Sequence, residues 1–179
     1  VIAPADVHEA RKAVLAAAKH VGPVYIRVGR SNTPVVTTPE SPFEIGKAVI
    51  MYKTVGATEK KIGLVVTGTL LFNALKAAME LEEQGVGVTV LHVPTIKPLD
   101  EDAVRQLAVE VDGIVTIEEH QVAGGLGGAV SEYLSEVQPT RILRVGVRDQ
   151  FGQSGEPEEL TAHYGMDAAT IVATAKKLI

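Results

Sequence analysis

The stretch Gly113-Ile114-Val115-Thr116-Ile117-Glu118-Glu119-His120, continued by Gly124-Gly125-Leu126-Gly127-Gly128, decides how this chain is built. Its first half is a short apolar run rich in β-branched residues, the composition of a strand buried on both faces. Its second half is a glycine turn leading into Val130, Tyr133, Leu134 and Val137, which recur at helical spacing. A buried strand, a turn and a helix make up the repeating unit of a mostly parallel, helix-covered sheet.

The same unit recurs on either side. Residues 62–67 form an apolar run followed by Leu71, Ala74, Leu75, Ala78 and Leu81 on one helical face. Residues 86–92 precede a helix carrying Val104 and Leu107, and residues 142–147 precede two short C-terminal helices, near 157–164 and over Ala168, Ile171, Val172, Ala175 and Leu178. An earlier run, 48–51, is separated from 62–67 by a short stretch with Gly56 and no helical period, too little for a helical crossover, so these two runs read as an antiparallel pair. The expected fold is α/β, a three-layer αβα arrangement around a mostly parallel five-stranded sheet with one antiparallel edge strand.

Residues 1–30 read differently. Val1-Ile2-Ala3 resembles a strand already in progress, which suggests a piece cut from a longer polypeptide. Asp6-x-x-Glu9 is a capping-box pattern for a helix over about 6–19. Gly22-Pro23 ends it, and 24–28 read as a short strand holding Arg27, with Arg30 just beyond Gly29. Residues 31–42, with three prolines among Ser and Thr, form a stiff linker without periodicity. The expected organisation is thus 1–30 as the end of one domain, 31–42 as linker and 43–179 as a second domain.

Composition narrows the function. With 46% hydrophobic and 22% charged residues the chain folds, and no apolar run reaches the length of a membrane span, so no membrane partner is expected. A net charge of -5 without a Lys/Arg cluster argues against nucleic acid. The absence of cysteine excludes disulfides, thiolate catalysis and Cys-ligated metals, and fits a cytoplasmic protein.

Candidate site residues cluster at strand ends, where open α/β sheets bind ligands. Gly124 and Gly125 could offer amides at a helix N-terminus to a phosphate, or simply let the helix start close to the sheet; the dinucleotide fingerprint is incomplete because Val130 stands at its third glycine. Glu118 and Glu119 could tune His120 for proton transfer, or cap the next helix and serve an interface. Thr67 and His92 end two further strands and could join these residues in an anion or effector pocket. Thr69 reads as a helix N-cap, as does Asp100. His8, His20 and His163 read as surface or packing residues. Arg30, at a strand end beside the linker, suits a bidentate phosphate contact, or is a plain surface arginine. No spacing suggests a metal site.

Taken in order, Gly22-Pro23-Val24-Tyr25-Ile26-Arg27-Val28-Gly29-Arg30, Phe43-Glu44-Ile45-Gly46-Lys47-Ala48, Ile96-Lys97-Pro98-Leu99-Asp100, the Glu118 to Gly128 run, Phe151-Gly152-Gln153-Ser154-Gly155 and Tyr164-Gly165 resemble the C-terminal part of thiamine-diphosphate-dependent transketolases, most closely the separate C-terminal subunit of the split bacterial and archaeal type. The resemblance spans essentially the whole chain. It implies that 1–30 end a pyrimidine-binding domain and that 43–179 form a structural and dimerising C-terminal domain. It implies a parent enzyme of the pentose phosphate pathway that moves a two-carbon ketol unit between sugar phosphates, using thiamine diphosphate and magnesium. Partners implied are a second copy, as a homodimer, and an N-terminal transketolase subunit.

Among the residues present, only Arg30 matches a family active-site position, an arginine that grips the substrate phosphate. No catalytic residue and no bound cofactor are expected here, and the isolated chain is expected to be inactive. Deoxyxylulose-phosphate synthase and the β subunit of 2-oxoacid dehydrogenases resemble the same segments. Glu156-Pro157-Glu158-Glu159-Leu160 before Tyr164-Gly165 favours the split transketolase.

Overall fold

The computed structural model describes residues 1–179. Five strands, β1 (Val49–Lys53), β2 (Lys61–Val66), β3 (Gly87–His92), β4 (Gly113–Gln121) and β5 (Ile142–Val147), form one sheet in the order β1-β3-β2-β4-β5. The last four are mutually parallel, and β1 runs antiparallel along the edge. The expected class and the single antiparallel edge strand are therefore present, but the neighbour of that strand differs. β1 pairs with β3, not with β2. Both sides of β2 are occupied, by β3 and β4, which leaves the sheet edges, and β1 takes the outer edge of β3. Residues 54–60 then have only two strand spacings to cross, about 10 Å, well within reach of that connection.

Helices cover both faces. α2 (Leu71–Glu83) and α6 (Ala168–Ala175) bury Leu71, Ala74, Ala78, Leu81, Ile171 and Val172 against Ile62, Leu64, Val90, Val115 and Ile117. α3 (Glu101–Glu110) and α4 (Leu126–Val137) bury Val104, Leu107, Val130 and Leu134 against Val65, Leu91 and Ile114 on the opposite face. Each buried Leu, Ile or Val side chain stabilises the fold by about 1.5–3 kcal/mol of transfer free energy. Asp100 caps α3 by accepting from the Ala103 amide, as its spacing predicts. α5 (Pro157–His163) packs outside this core and buries no residue.

The N-terminal segment docks on the carboxyl ends of β2 and β3. The Ala3 amide donates to the Pro94 carbonyl, Gly68 donates to the Ala3 carbonyl, and Ile96 donates to the Val1 carbonyl. On its other side Ile2 exchanges two bonds with residues 25–27, so the expected strand over 24–28 is reduced to one bridge at Ile26, whose only strand neighbour is Ile2. α1 (Val7–Ala17) is shorter than expected, because the amides of Lys19 and His20 turn back to Ala16 and Ala17.

Asp6 caps α1 through the amides of His8 and Glu9, and also accepts from the amides of Val36 and Thr37 and the Thr37 hydroxyl. Glu9 departs from the capping box: its carboxylate takes the Ala5 amide.

Candidate functional site

The end of β4 and the start of α4 face the N-terminal segment across a cleft of about 540 Å³. Thr67, Glu118, Glu119, His120, Gly124 and Gly125 all line it, so six of the strand-end candidates do converge. Opposite them stand Tyr25 and Arg27 from the N-terminal segment, with Ala129, Glu132, Tyr133 and Glu136 along one face of α4.

Glu118 is the centre of the local structure. The residue is 1% exposed, and its two carboxylate oxygens accept from the amides of Leu126 and Gly127, each at 2.8 Å. Burial pushes this carboxyl above the usual range, outweighing the two amide bonds and the attraction of His120 and Arg144. The amides that a phosphate would use are thereby taken by the chain's own carboxylate.

The glycines follow from the same packing. A Cβ on Gly125 would lie 2.8 Å from the Glu118 carboxyl carbon and 2.9 Å from the Gln121 carbonyl oxygen. One on Gly127 would lie 2.7 Å from both Thr116 Oγ1 and Arg144 Cδ, so that glycine lets α4 approach the sheet.

Around this knot the remaining groups are polar and more exposed. Glu119 accepts the Thr69 hydroxyl at 2.7 Å and faces the Arg27 guanidinium at 3.5 Å. Thr69 therefore does not cap α2; that helix is entered through a 3-10 turn at Gly68–Leu70 with no side-chain cap. Thr67 is buried, and its hydroxyl donates to the Ala3 carbonyl at 3.4 Å. His120 is exposed and its Nδ1 lies 3.3 Å from the Gln121 carbonyl; no hydrogen bond or ion pair joins it to Glu118 or Glu119.

Two candidates lie elsewhere. His92 is buried beneath the N-terminal segment, where its Nε2 meets Glu9 Oε2 at 2.8 Å, and it does not line the cleft. Arg30 is exposed and also outside the cleft wall. Arg27, Tyr25 and the α4 stripe were not among the sequence candidates. The polar Arg27 inside an apolar run and the spacing of 129, 132, 133 and 136 were the available signals.

Residues 52–171 match the family model described as the transketolase, C-terminal domain. This chain belongs to that family. It is similar to a 6-deoxy-6-sulfo-D-fructose transketolase subunit of Clostridium sp. (strain MSTE9), at 38% identity over 98% of this chain and 53% of that protein. It is also similar to a 1-deoxy-D-xylulose-5-phosphate synthase of Vibrio cholerae, at 38% identity over 96% of this chain and 27% of that one. A solved structure described as a split-gene transketolase, inactive β4 tetramer, superposes with a TM-score of 0.92 and 40% identity, over 99% of this chain and 56% of that chain. The chain thus spans about half the length of the split transketolase subunits it matches.

Transketolases as a family imply thiamine diphosphate with a divalent ion. The residues of the cleft do not fit that pair: the helix amides are filled by Glu118, and no three His, Asp or Glu side chains converge on one point. No helix is long and apolar enough to cross a membrane.

Proposed function

We propose that this chain is the C-terminal portion of a split-type transketolase subunit and that its role is to hold an assembly together, without touching the reacting atoms. The observation that carries this reading is the occupation of the Leu126 and Gly127 amides by Glu118. The most site-like motif in the chain is in this way consumed by its own fold. In the complete enzyme a two-carbon ketol unit passes between sugar phosphates, with thiamine diphosphate and magnesium held by other segments.

In this reading residues 1–30 end the pyrimidine-binding domain, 31–42 link it to the C-terminal domain of 43–179, and the latter pairs with a second copy in a cytoplasmic enzyme of the pentose phosphate pathway that also contains an N-terminal subunit. Arg30 contacts the substrate phosphate. Its support is the free guanidinium, which makes no ion pair or hydrogen bond within this chain and presents a planar fork matched to a phosphate.

Calorimetry on the 179-residue chain is expected to show no thiamine diphosphate binding, and an assay with ketose and aldose phosphates no ketol transfer. Clear binding at micromolar cofactor sinks the reading. Light scattering at tens of micromolar tests the homodimer, which fails if one chain's 18.9 kDa is returned. The similarity to a 1-deoxy-D-xylulose-5-phosphate synthase supports a second reading with another donor, and the donor preference of the complete protein separates the two.

A further inference from the structure

Glu9 and His92 stand 83 positions apart in the sequence, yet meet in the core. They are 2% and 1% exposed, and Nε2 lies 2.8 Å from Oε2. The other ring nitrogen, Nδ1, lies 3.2 Å from the Val66 carbonyl oxygen. Each ring nitrogen therefore faces an oxygen.

A carbonyl carries no hydrogen, so Nδ1 must donate to Val66. Glu9 Oε2 already takes the Ala5 amide at 2.6 Å, and the same oxygen faces Nε2. Nε2 and Oε2 therefore share one hydrogen, which satisfies both, whether imidazolium meets carboxylate or imidazole meets carboxylic acid. Either group without the other would be left unpaired at this depth.

The pair sits where it can set geometry. Glu9 lies in the first turn of α1, and Ala5, which it holds, continues into the 1–3 stretch that carries residues 25–27 on its far side. The other ties across this junction are mainly main-chain bonds around one isolated bridge, between Ile2 and Thr95. A main-chain bond is offered at every residue, whereas a single buried polar pair has only one position in which it is satisfied.

We propose that Glu9 and His92 form a buried positioning pair, joined by one hydrogen held between Nε2 and Oε2, that fixes how residues 1–30 stand on the ends of β2 and β3 and so where Arg27 and Arg30 are presented. Only the consequence for Arg30 and substrate rests on the transketolase reading. The pair itself does not.

Proton NMR of the 179-residue chain tests the pair without any variant: the hydrogen between His92 Nε2 and Glu9 should appear as a slowly exchanging downfield signal. Its absence overturns the proposal. Glu9→Gln keeps the shape and the bond to Ala5 but replaces the shared hydrogen with a weaker amide contact; that signal is expected to be lost, and amide shifts should spread through residues 24–30. Shifts confined to the first turn of α1 and the end of β3 would overturn the positioning role.

In the assembled enzyme, with the complete chain and its N-terminal partner, Glu9→Gln should raise KM for a ketose phosphate on the order of threefold with kcat nearly unchanged, and leave an unphosphorylated ketose unaffected. An equal loss for both donors argues a general structural role and overturns the positioning claim. Absence of ketol transfer in the wild-type assembly overturns the transketolase reading instead, while the proton signal still decides the pair.

Discussion

Asp6 and Glu118 are both buried carboxylates at the start of a helix, and they end up on opposite sides of the usual carboxylate range. Burial pushes both upward. Glu118 meets only two donors, the amides of Leu126 and Gly127, and stays raised. Asp6 meets five, from His8, Glu9, Val36 and Thr37, and the bonds from Thr37, Glu9 and Val36 carry it below the range despite burial. Depth of burial and the number of donors together decide the sign. The donors also decide reach: Glu118 closes one strand–turn–helix unit, whereas Asp6 ties a helix start to a segment 30 residues on.

The largest effect should come from the local unit. Gly125→Val places a side chain into the Glu118 carboxyl and the Gln121 carbonyl, and should cost about 4 kcal/mol, measured by urea unfolding. A cost below 1 kcal/mol would mean the turn can open freely, and the contrast between a closed knot and an open site would collapse. Asp6→Ala comes next, at about 3 kcal/mol, because it removes a helix cap and leaves Thr37, itself buried, short of a partner. Its amide exchange should rise around 35–38 while the β4–α4 turn stays protected.

Much of the fold was legible in the sequence because strands buried on both faces are continuous apolar runs and the helices between them keep their period. Pairing order was not, since residues 48–51 carry no mark of which strand edge is left free for them. For the site, Glu118 with Gly124 and Gly125 was readable as a constellation, but its meaning turns on where the carboxylate points. Inward, it fills the amides that would otherwise bind an anion. His92 looked like a strand-end ligand residue; its partner Glu9 lies in a separate helix with its own capping pattern, and no periodicity links the two. Arg27 carried a signal in the apolar run around it, whereas the α4 stripe shows only once the helix is placed against the cleft.

The opposite shifts predict opposite pH slopes. Asp6, lowered on folding, contributes stability that is present above the unfolded carboxylate range and is lost as pH falls through it toward the folded value. Glu118, raised on folding, binds its proton more readily in the native state, so its unfavourable contribution is absent in acid and grows as pH rises through the window above the ordinary range. Against Glu118→Gln, the wild type should therefore gain relative stability on acidification through that window. Against Asp6→Asn it should lose its advantage. Chemical unfolding of the three proteins between about pH 2 and pH 7 checks both signs, and parallel curves would show that the two carboxylates do not differ as their donors imply.

The smallest effect concerns the contact that spans the cleft itself. Arg27 and Glu119 are 33% and 41% exposed and 3.5 Å apart, a distance at which solvent screens the charge and two flexible side chains must be held still for little gain. Removing Glu119 also releases the Thr69 hydroxyl, which is only partly buried and can turn to water. A double-mutant cycle with Arg27→Met and Glu119→Gln should therefore return a coupling of about 0.5 kcal/mol, falling further in high salt. A coupling of about 2 kcal/mol, insensitive to salt, would show that this pair locks the N-terminal segment, and would move that role away from the buried contacts of Asp6 and Glu9. The two ties differ in burial, and burial is what makes one geometry the only satisfied one.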